Sequence, residues 1–296
     1  MKEKIIYDIG CIADPRENPL LKMWRVYVPA GKRPLRRHQH IYFEITVVNE
    51  GSGTYTTDKD VYDLSKGDVL VFCSNEMHCI TDVGKDGLTI TNLHFDPQYI
   101  RGNASDSFSP MNANFCFHHN PDFDNRIKAK DSETIRSVFS HIQKELTGQE
   151  GEYILAAKSW LHLILITLLR DYNYAAQNRN VNYSQMQNIQ KTLSYIDLPF
   201  AEKITLQDLS DLAGLTPNYY CTLFKQVNGM TLWDYIGAKR NDKAVRLLTD
   251  DHVRDNMIDI AAECGYNNTA NFNKAFKKIT GMTPREYRSS GHVMIS

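Results

Sequence analysis

The feature that most constrains this chain is a repeat near its C-terminal end. Residues 209–235 read LSDLAGLTPNYYCTLFKQVNGMTLWDY, and residues 260–287 read IAAECGYNNTANFNKAFKKITGMTPREY. The two segments share an early glycine, a central aromatic residue followed by a Phe-Lys pair, and a Gly-Met-Thr sequence followed by a tyrosine. A repeat of this length, present twice, indicates a duplicated supersecondary unit.

Each copy has the pattern of two helices joined by a tight turn. In the first copy, Gly214 ends a short run with helical apolar spacing, because glycine tolerates a positive φ. Thr216-Pro217 then supplies a capping oxygen and a proline suited to the first helical position. The following helices are expected to bury apolar stripes, formed by Tyr220, Leu223, Phe224 and Val227 in the first copy and Phe272, Ala275, Phe276 and Ile279 in the second.

Helix, glycine turn and helix form the helix-turn-helix arrangement, whose second helix can enter the major groove of DNA. An αα-hairpin used only for packing is the alternative, but two copies with matched polar outward faces favour DNA binding. Residues 232–248 are predicted to form a joining helix of roughly 25 Å at ~1.5 Å per residue. Such a helix would set two recognition helices about one duplex turn, ~34 Å, apart. Its predicted basic flank comprises Lys239, Arg240, Lys243 and Arg246.

The pattern I-A-x-x-C-G-Y, then F-K-K-x-x-G-M-T-P-x-x-Y-R, and its first-copy counterpart resemble the AraC/XylS family of bacterial transcription regulators over roughly residues 186–288. The resemblance implies a double-stranded DNA operator as partner, and RNA polymerase as well if the protein is an activator. It implies that bases are read by Asn218, Cys221 and Thr222 in the first unit and by Thr269, Ala270, Asn271 and Lys274 in the second. The outward-facing Lys225 and Lys277 complete the predicted DNA-binding set. Thr222 and Lys274 stand where relatives often carry arginine.

The N-terminal half has the pattern of an antiparallel β domain. Candidate strands are Trp24–Val28, Ile41–Val48, Gly53–Thr57, Val61–Leu64, Val69–Cys73 and Leu88–Phe95. Turn signals are predicted at 49–53, 66–68 and 84–87, and residues 1–22 are predicted to be irregular. Several short strands at this spacing favour a sandwich or jelly roll.

Four ligand-type residues lie in this half. His38, His40 and Glu44 share parity, so on one strand they would leave from one face, and His78 follows after the next hairpin. The spacings G-x6-H-x-H-x3-E-x6-G and G-x10-H resemble the two cupin motifs, although Cys73 and Asn75 replace the usual proline and glycine of the second. The resemblance implies a transition metal held by the four residues. Fe, Mn, Ni, Zn and Cu all suit such ligands.

Three interpretations of this half stay open. In the first, the barrel binds an organic effector, by family resemblance a sugar or sugar derivative. His38, His40, Glu44 and His78 would then make polar contacts, with Trp24, Tyr42 or His94 as walls. In the second, a bound divalent transition metal is the signal or a co-ligand. In the third, the barrel is a metal-dependent cupin enzyme. Because the C-terminal half makes transcription the output, we expect a regulator and not an enzyme.

Between these halves the pattern turns helical. One apolar stripe follows a predicted cap at Asp131-Ser132 and consists of Ile135, Val138, Phe139, Ile142 and Leu146. A second helix, roughly 152–174, is apolar on nearly every side and must be buried. A small barrel can cover only one face of this helix, so we expect the rest of its apolar surface to contact a second subunit in a homodimer.

These patterns predict an α+β protein of two domains. Residues 1–125 would form a cupin-like antiparallel β-barrel or jelly roll that senses an effector, and 126–176 a helical dimerisation element. Residues 177–185 would be a linker, and 186–296 an all-α DNA-binding domain with two helix-turn-helix units. The formal net charge of −1 argues against bulk electrostatic attraction to nucleic acid, so we expect local cationic clusters to supply the attraction. The absence of a signal-peptide pattern, of a membrane-length apolar run and of paired cysteine spacing predicts a cytoplasmic protein without membrane contact.

Overall fold

The computed structural model describes residues 5–13, 19–31, 38–100, 119–174, 183–197, 204–250 and 256–289. By its internal contacts the chain divides into two compact units, one containing the strands and the first helices, the other containing the described residues from 183 onward together with His38–Ile41. An antiparallel sheet domain followed by a helical domain is therefore confirmed.

Seven strands of the described chain form one antiparallel sheet in the N-terminal unit. They are β1 (Ile5–Ala13), β2 (Pro19–Val28), β3 (Phe43–Thr57), β4 (Val61–Ser65), β5 (Val69–Phe72), β6 (His78–Phe95) and β7 (Arg126–Ile127). The order is β1-β2-β6-β3-β5-β7, with β4 paired to β3. The prediction that residues 1–22 are irregular was wrong for β1 and the start of β2. Among the described strands β1 pairs with β2 alone, and its mostly half-exposed or exposed side chains leave no clear alternation to recognise.

Two predicted turns proved to be bends within long strands. β3 and β6 run through 49–53 and 84–87 respectively, and their pairing is irregular near these positions. Gly51 and Gly87 have φ of +81° and +83°, and a Cβ on Gly51 would lie 1.9 Å from the Gly87 carbonyl oxygen. Glycine is therefore required here because two bulged backbones meet, not because the chain reverses.

The two faces of the sheet bury different partners, because successive side chains of a strand point to opposite sides. Phe43, Ile45 and Val47 of β3 lie in the core that includes the helices, whereas Val48 lies in a second core with residues of β5 and β6. The helices of this unit are α1 (Pro97–Ile100), α2 (Glu133–Gly148) and α3 (Tyr153–Asp171).

Helix α2 buries the stripe that its sequence predicts, Ile135, Val138, Phe139, Ile142 and Leu146. The predicted cap differs in its bonding. Ser132 occupies the N-cap position, but its hydroxyl donates a 2.7 Å hydrogen bond to the Gly67 carbonyl and makes no capping bond. Ser132 therefore ties the start of α2 to the turn between β4 and β5.

Helix α3 is long and apolar enough to cross a membrane by length and composition, with a mean hydropathy of 1.4 over 18 residues. One of its sides packs in the core of the N-terminal unit, as core helices do, through Ala157, Leu161, Ile164, Leu165 and Leu168. Its other side exposes Ile154, Leu155 and Leu163 by 47%, 63% and 41%. The helix is therefore only partly buried within the chain.

The C-terminal unit is helical throughout its described elements. These are α4 (Tyr183–Asp197), α5 (Leu206–Ala213), α6 (Pro217–Asn228), α7 (Leu232–Thr249), α8 (Met257–Glu263), α9 (Thr269–Thr280) and α10 (Pro284–Ser289). Of the predicted linker 177–185, residues 177–182 lie outside the described chain and 183–185 already belong to α4.

Two separate hydrophobic cores lie in this unit, and α7 contributes to both. Its first turns place Leu232, Tyr235 and Ile236 in a core with α4, α5 and α6. Its later turns place Ala244, Val245 and Leu248 in a core with α8, α9 and α10. Each repeat therefore has its own core, and α7 spans the two.

Candidate DNA interface and sensor site

The two turns of the repeat have the local geometry that their sequences predict. Gly214 and Gly265 have φ of +66° and +80°, the left-handed region that glycine adopts without strain. In the second copy, the Asn268 side chain accepts a 2.8 Å hydrogen bond from the Asn271 N–H at the start of α9. In the first copy, Thr216 holds the N-cap position but makes no side-chain capping bond, so Pro217 is the main start signal of α6.

The duplication extends to the aromatic packing of each core. Phe224 packs edge-on against Tyr235 with ring centroids 5.7 Å apart, and Phe276 packs edge-on against Tyr287 at 5.4 Å. Both phenylalanines are almost fully buried. These contacts hold α6 against α7 and α9 against α10, so each recognition helix has one fixed outer face.

The outer faces carry most of the predicted DNA-binding residues. The exposed members of the set are Asn218, Thr222 and Lys225 on α6, and Ala270, Asn271, Lys274 and Lys277 on α9. Cys221 and Thr269 are half-buried. The Thr222 hydroxyl donates a 3.1 Å hydrogen bond to the Asn218 carbonyl, so within α6 it remains an acceptor. Their individual roles stay predictions.

The basic flank of α7 is engaged in packing. Lys239 is buried, with Nζ 5.7 Å from the Tyr235 ring centroid. Arg240 lies 5.5 Å from the Tyr266 ring centroid, and Lys243 Nζ lies 3.1 Å from a Glu263 carboxylate oxygen. Because these cations serve intradomain contacts, α7 offers DNA less positive charge than its sequence suggests.

In the N-terminal unit, strand register builds a buried polar cluster on the β3–β6 pair. Glu44 is opposite His94, and Thr46 is opposite Asn92, so all four side chains share one face. Glu44 is 1% exposed. Its Oε2 lies 2.9 Å from His94 Nε2, and its Oε1 accepts a 2.6 Å hydrogen bond from the Thr46 hydroxyl. A buried carboxylate needs such partners to offset its lost hydration.

His78 completes the surroundings of this carboxylate. Its Nδ1 lies 2.9 Å from the Glu76 carbonyl oxygen, so Nδ1 carries a proton. Its Nε2 lies 3.1 Å from Glu44 Oε2, a contact that requires a second proton or another cation. Burial lowers the pKa of His78, but the Glu44 carboxylate, together with the Glu76 carbonyl and carboxylate, holds this pKa above its ordinary value.

Aromatic rings close the cluster on another side. Trp24 lies edge-on to His94 with centroids 4.5 Å apart, and Tyr42 stacks on His94 at 5.7 Å. Trp24 is 3% exposed, and its indole N–H has no acceptor among the described residues. Because an unsatisfied buried donor costs ~1–3 kcal/mol, this N–H indicates a position for an oxygen atom of a ligand or water.

The two remaining predicted residues, His38 and His40, are not in a strand, because β3 begins at Phe43. The prediction that His38 and His40 share one face of a strand with Glu44 was therefore wrong. Other imidazoles come close to Glu44 through tertiary packing. Within the N-terminal unit, His78 Nε2 and His94 Nε2 approach Glu44 Oε2 at 3.1 and 2.9 Å. His94 thus joins the predicted set, and the metal-binding role of that set stays a prediction.

Two groups escaped the sequence analysis. Thr46 and Asn92 lie two residues from Glu44 and His94 on the same strand faces, so alternation would have found them. A second polar group, Cys73 with Glu76 and His119, had no such signal, because His119 comes from a distant part of the chain.

Comparison with known proteins identifies a domain family for each half of the chain. The pattern of an AraC-like ligand binding domain matches residues 32–165, and that of a helix-turn-helix domain matches residues 209–290. The transcriptional activator RhaR of Mannheimia succiniciproducens is 24% identical over 273 residues, which is 92% of this chain and 92% of that protein. RhaS of Pectobacterium carotovorum is 25% identical over 85% of this chain and 86% of its own length.

Among solved structures, ToxT from Vibrio cholerae covers 93% of this chain and 99% of its own with a TM-score of 0.58 at 10% identity, a likeness of fold. The two domain matches together cover most of the chain. The chain therefore belongs to the AraC family of DNA-binding transcription regulators, with an N-terminal ligand-binding domain and a C-terminal helix-turn-helix domain.

Proposed function

We propose that this protein activates transcription from a specific operator and that a small polar molecule bound in its N-terminal domain controls this activity. The observation that carries the proposal is the pair of helix-turn-helix units, each with its own core and an exposed polar face on its second helix. Relatives that align over most of the chain are named transcriptional activators, which supports activation, with RNA polymerase as a further partner.

In the proposed complex, α6 and α9 enter successive stretches of the major groove. Asparagine pairs bidentately with adenine and lysine with guanine, so Asn218, Asn271 and Lys274 would read bases. Lys225 and Lys277, one turn further along each helix, would contact phosphates and set the salt dependence. Helix α7, with 18 residues, spans about 27 Å at ~1.5 Å per residue, which suits half-sites one duplex turn apart.

The proposed effector is a sugar or sugar derivative. Glu44, His94 and His78 supply charged hydrogen-bonding groups in a buried position, and Trp24 supplies an N–H that lacks an acceptor among the described residues. The faces of Trp24 and Tyr42 provide the apolar walls typical of ligand sites. Occupancy would act by a population shift, limited by the effector's differential affinity for the arrangements of the protein.

We also propose a homodimer and a cytoplasmic location. Ile154, Leu155 and Leu163 leave an apolar side on α3, and a second copy of the helix would remove this area from water. A cytoplasmic location follows from the operator and polymerase as partners. The protein has no proposed enzymatic role.

A second candidate is a metal-responsive regulator. It is favoured by the approach of His78 Nε2 and His94 Nε2 to Glu44 Oε2 at 3.1 and 2.9 Å, with His38 and His40 as further predicted ligands. Three imidazoles and a carboxylate suit several divalent transition metals, which would act as the signal or as a co-ligand for an organic effector. If this site instead performs cupin chemistry, purified metal-loaded protein would turn over a substrate.

The test begins with selection of DNA from a random pool by the full chain. Operator affinity is then measured at fixed salt with and without a carbohydrate panel that includes rhamnose, using metal-free and metal-loaded protein. We expect an enriched operator and a ligand-induced affinity change that Glu44→Gln abolishes. Glu50→Gln, an exposed position on the same strand, is the matched control and keeps the response.

Each part of the proposal has its own contrary result. Failure to enrich any sequence would refute specific DNA binding, and an unchanged affinity with every carbohydrate would refute the sugar effector. The metal candidate is checked separately by mass spectrometry of wild type and the His38→Ala/His40→Ala variant. Near-stoichiometric metal lost in that variant supports it, and metal-free wild type that takes up no added metal excludes it.

A further inference from the structure

A second buried polar cluster lies in the N-terminal unit, outside the Glu44 site. We call it the loop cluster, and its members are Cys73, Glu76, His119 and Asn125. Cys73 and Glu76 belong to the loop between β5 and β6, and the other two lie just before β7. The side chains of Glu76 and His119 are 14% and 6% exposed, and Cys73 is 8% exposed. Such burial excludes most water from the charged groups.

Hydrogen bonding around His119 determines where its protons lie. Nδ1 is 2.8 Å from the Asn120 carbonyl oxygen, so Nδ1 carries a proton and donates it. Nε2 lies 3.2 Å from Glu76 Oε1, a contact that needs either a second proton on Nε2 or a metal cation between the two atoms. A lone pair and a carboxylate oxygen attract each other only through a proton or a metal cation between them. His119 and Glu76 alone would form an imidazolium–carboxylate ion pair, but the Cys73 thiol adds a third metal-ligand group beside them.

The arrangement of the three donor atoms suits one metal ion. Cys73 Sγ, a Glu76 carboxylate oxygen and a His119 ring nitrogen all lie within 4.8 Å of one another. Around a tetrahedral Zn²⁺ with bonds of ~2.0–2.2 Å to nitrogen and oxygen, two such ligands are about 3.4 Å apart, close to the 3.2 Å between Glu76 and His119. By the same geometry the sulfur requires about 3.6 Å to each of the other two ligand atoms, and it lies no more than 4.8 Å from either.

Neighbouring groups already orient two of the donors, Glu76 and His119, as outer-shell partners do in metal sites. The Asn125 side-chain amide donates to Glu76 Oε1 at 3.0 Å, and the Cys73 backbone N–H donates to Glu76 Oε2 at 3.0 Å. The Asn120 carbonyl holds the His119 ring through Nδ1. These bonds hold the carboxylate and the ring in place, with the Cys73 sulfur within 4.8 Å of a ligand atom of each.

We propose that Cys73, Glu76 and His119 bind a zinc-type divalent transition metal ion, with the remaining position open to water. One thiolate, one imidazole and one carboxylate are a ligand set that Zn²⁺ accepts. The site goes beyond the proposed function, because it shares no side-chain ligand with the Glu44 site and does not depend on operator binding.

The metal would link the β5–β6 loop to the segment before β7 and, through Asn120, to the end of the N-terminal unit. The Glu76 carbonyl accepts the Nδ1 proton of His78, so the loop that carries the proposed ligand also orients a residue that contacts Glu44. On the other side, Asn120 N–H donates a 2.7 Å hydrogen bond to the Tyr174 carbonyl, at the last described residue before the C-terminal unit. Metal occupancy would thus hold the sensor loop and the end of this unit in one arrangement.

The test is a titration of the reduced, metal-free full chain with Co²⁺, followed by competition with Zn²⁺. Binding at the loop cluster gives a near-ultraviolet charge-transfer band from thiolate to cobalt, which a site of imidazoles and carboxylates lacks. We expect one equivalent of Co²⁺ to produce this band and Zn²⁺ to remove it. Cys73→Ser and His119→Asn should each lower Co²⁺ affinity at least tenfold and abolish the band.

Three further variants keep the result decisive. Cys79→Ser changes a buried cysteine outside the cluster and should keep the band, and so should His40→Ala, which belongs to the other metal candidate. Cys73→His replaces one metal donor with another, so it should keep Co²⁺ binding but lose the band. Wild type without the band, or Cys73→Ser with unchanged affinity, would overturn the proposal and leave an ordinary His119–Glu76 ion pair.

Discussion

Replacing Phe276 with alanine should unfold the second helix-turn-helix unit and leave the first one intact. Phe276 is 1% exposed and packs against Phe272 and Tyr287 with ring centroids 5.8 and 5.4 Å apart. Truncation of a buried phenylalanine costs ~3–5 kcal/mol. A unit of about fifty residues at roughly 0.1 kcal/mol per residue has ~5 kcal/mol of stability, so little would remain.

The assay is amide hydrogen exchange of the free protein, read by mass spectrometry of peptides. A loss of about 4 kcal/mol corresponds to a roughly thousandfold rise in exchange rate for amides that open with the unit. We expect this rise in α8, α9 and α10 of Phe276→Ala, with little change in α5 and α6. Operator footprints should then lose one half-site and keep the other.

The duplication provides a matched control. Phe224 holds the equivalent position in the first core, is fully buried, and should give the reverse pattern when replaced by alanine. If both variants raise amide exchange equally in both helix-turn-helix units, the cores of these two units unfold together. That result would refute the reasoning that each repeat has an independent core.

Three further predictions concern single side chains. Lys274→Ala should relax base preference at one operator position by ~1–3 kcal/mol, measured by binding to single-base variants; an unchanged preference would show that this helix is misplaced on the DNA. Lys277→Ala should weaken binding to all sequences similarly and reduce the slope of log affinity against log salt by about one unit. A slope equal to that of the wild type would show that Lys277 contacts no phosphate. In metal-free protein, Glu44→Gln should lower the pKa of His78, because burial is then opposed only by the Glu76 carbonyl and carboxylate; NMR titration checks this, and Glu50→Gln should leave the pKa unchanged.

Local patterns predicted the helical parts of this protein well. The buried stripe of α2 and the apolar stripe of α6 occupy the positions that their spacing predicts. These residues succeed because a helix of 3.6 residues per turn brings i, i+3, i+4 and i+7 to one face wherever it lies. Phe224 and Phe276 are equivalent in sequence and in packing for the same reason.

Patterns in the sheet were less informative, because the same residue types serve turns and bulges. Gly51 and Gly87 stood in segments that predicted chain reversal, yet they face each other inside the β3–β6 pair. Two backbones that approach this closely need glycine as much as a turn does. Only the pairing of two strands distant in sequence distinguishes the alternatives.

The sequence by itself therefore determined the duplicated helix-turn-helix domain, the preceding antiparallel domain and the presence of ligand-type histidines before β3. The tertiary structure decided which side chains meet. His94 reached Glu44 through the register of β6 on β3, and His119 reached Glu76 across 43 positions of sequence. The physical reason is that helical periodicity is a local property of the chain, whereas strand register and loop return depend on packing between segments far apart in sequence.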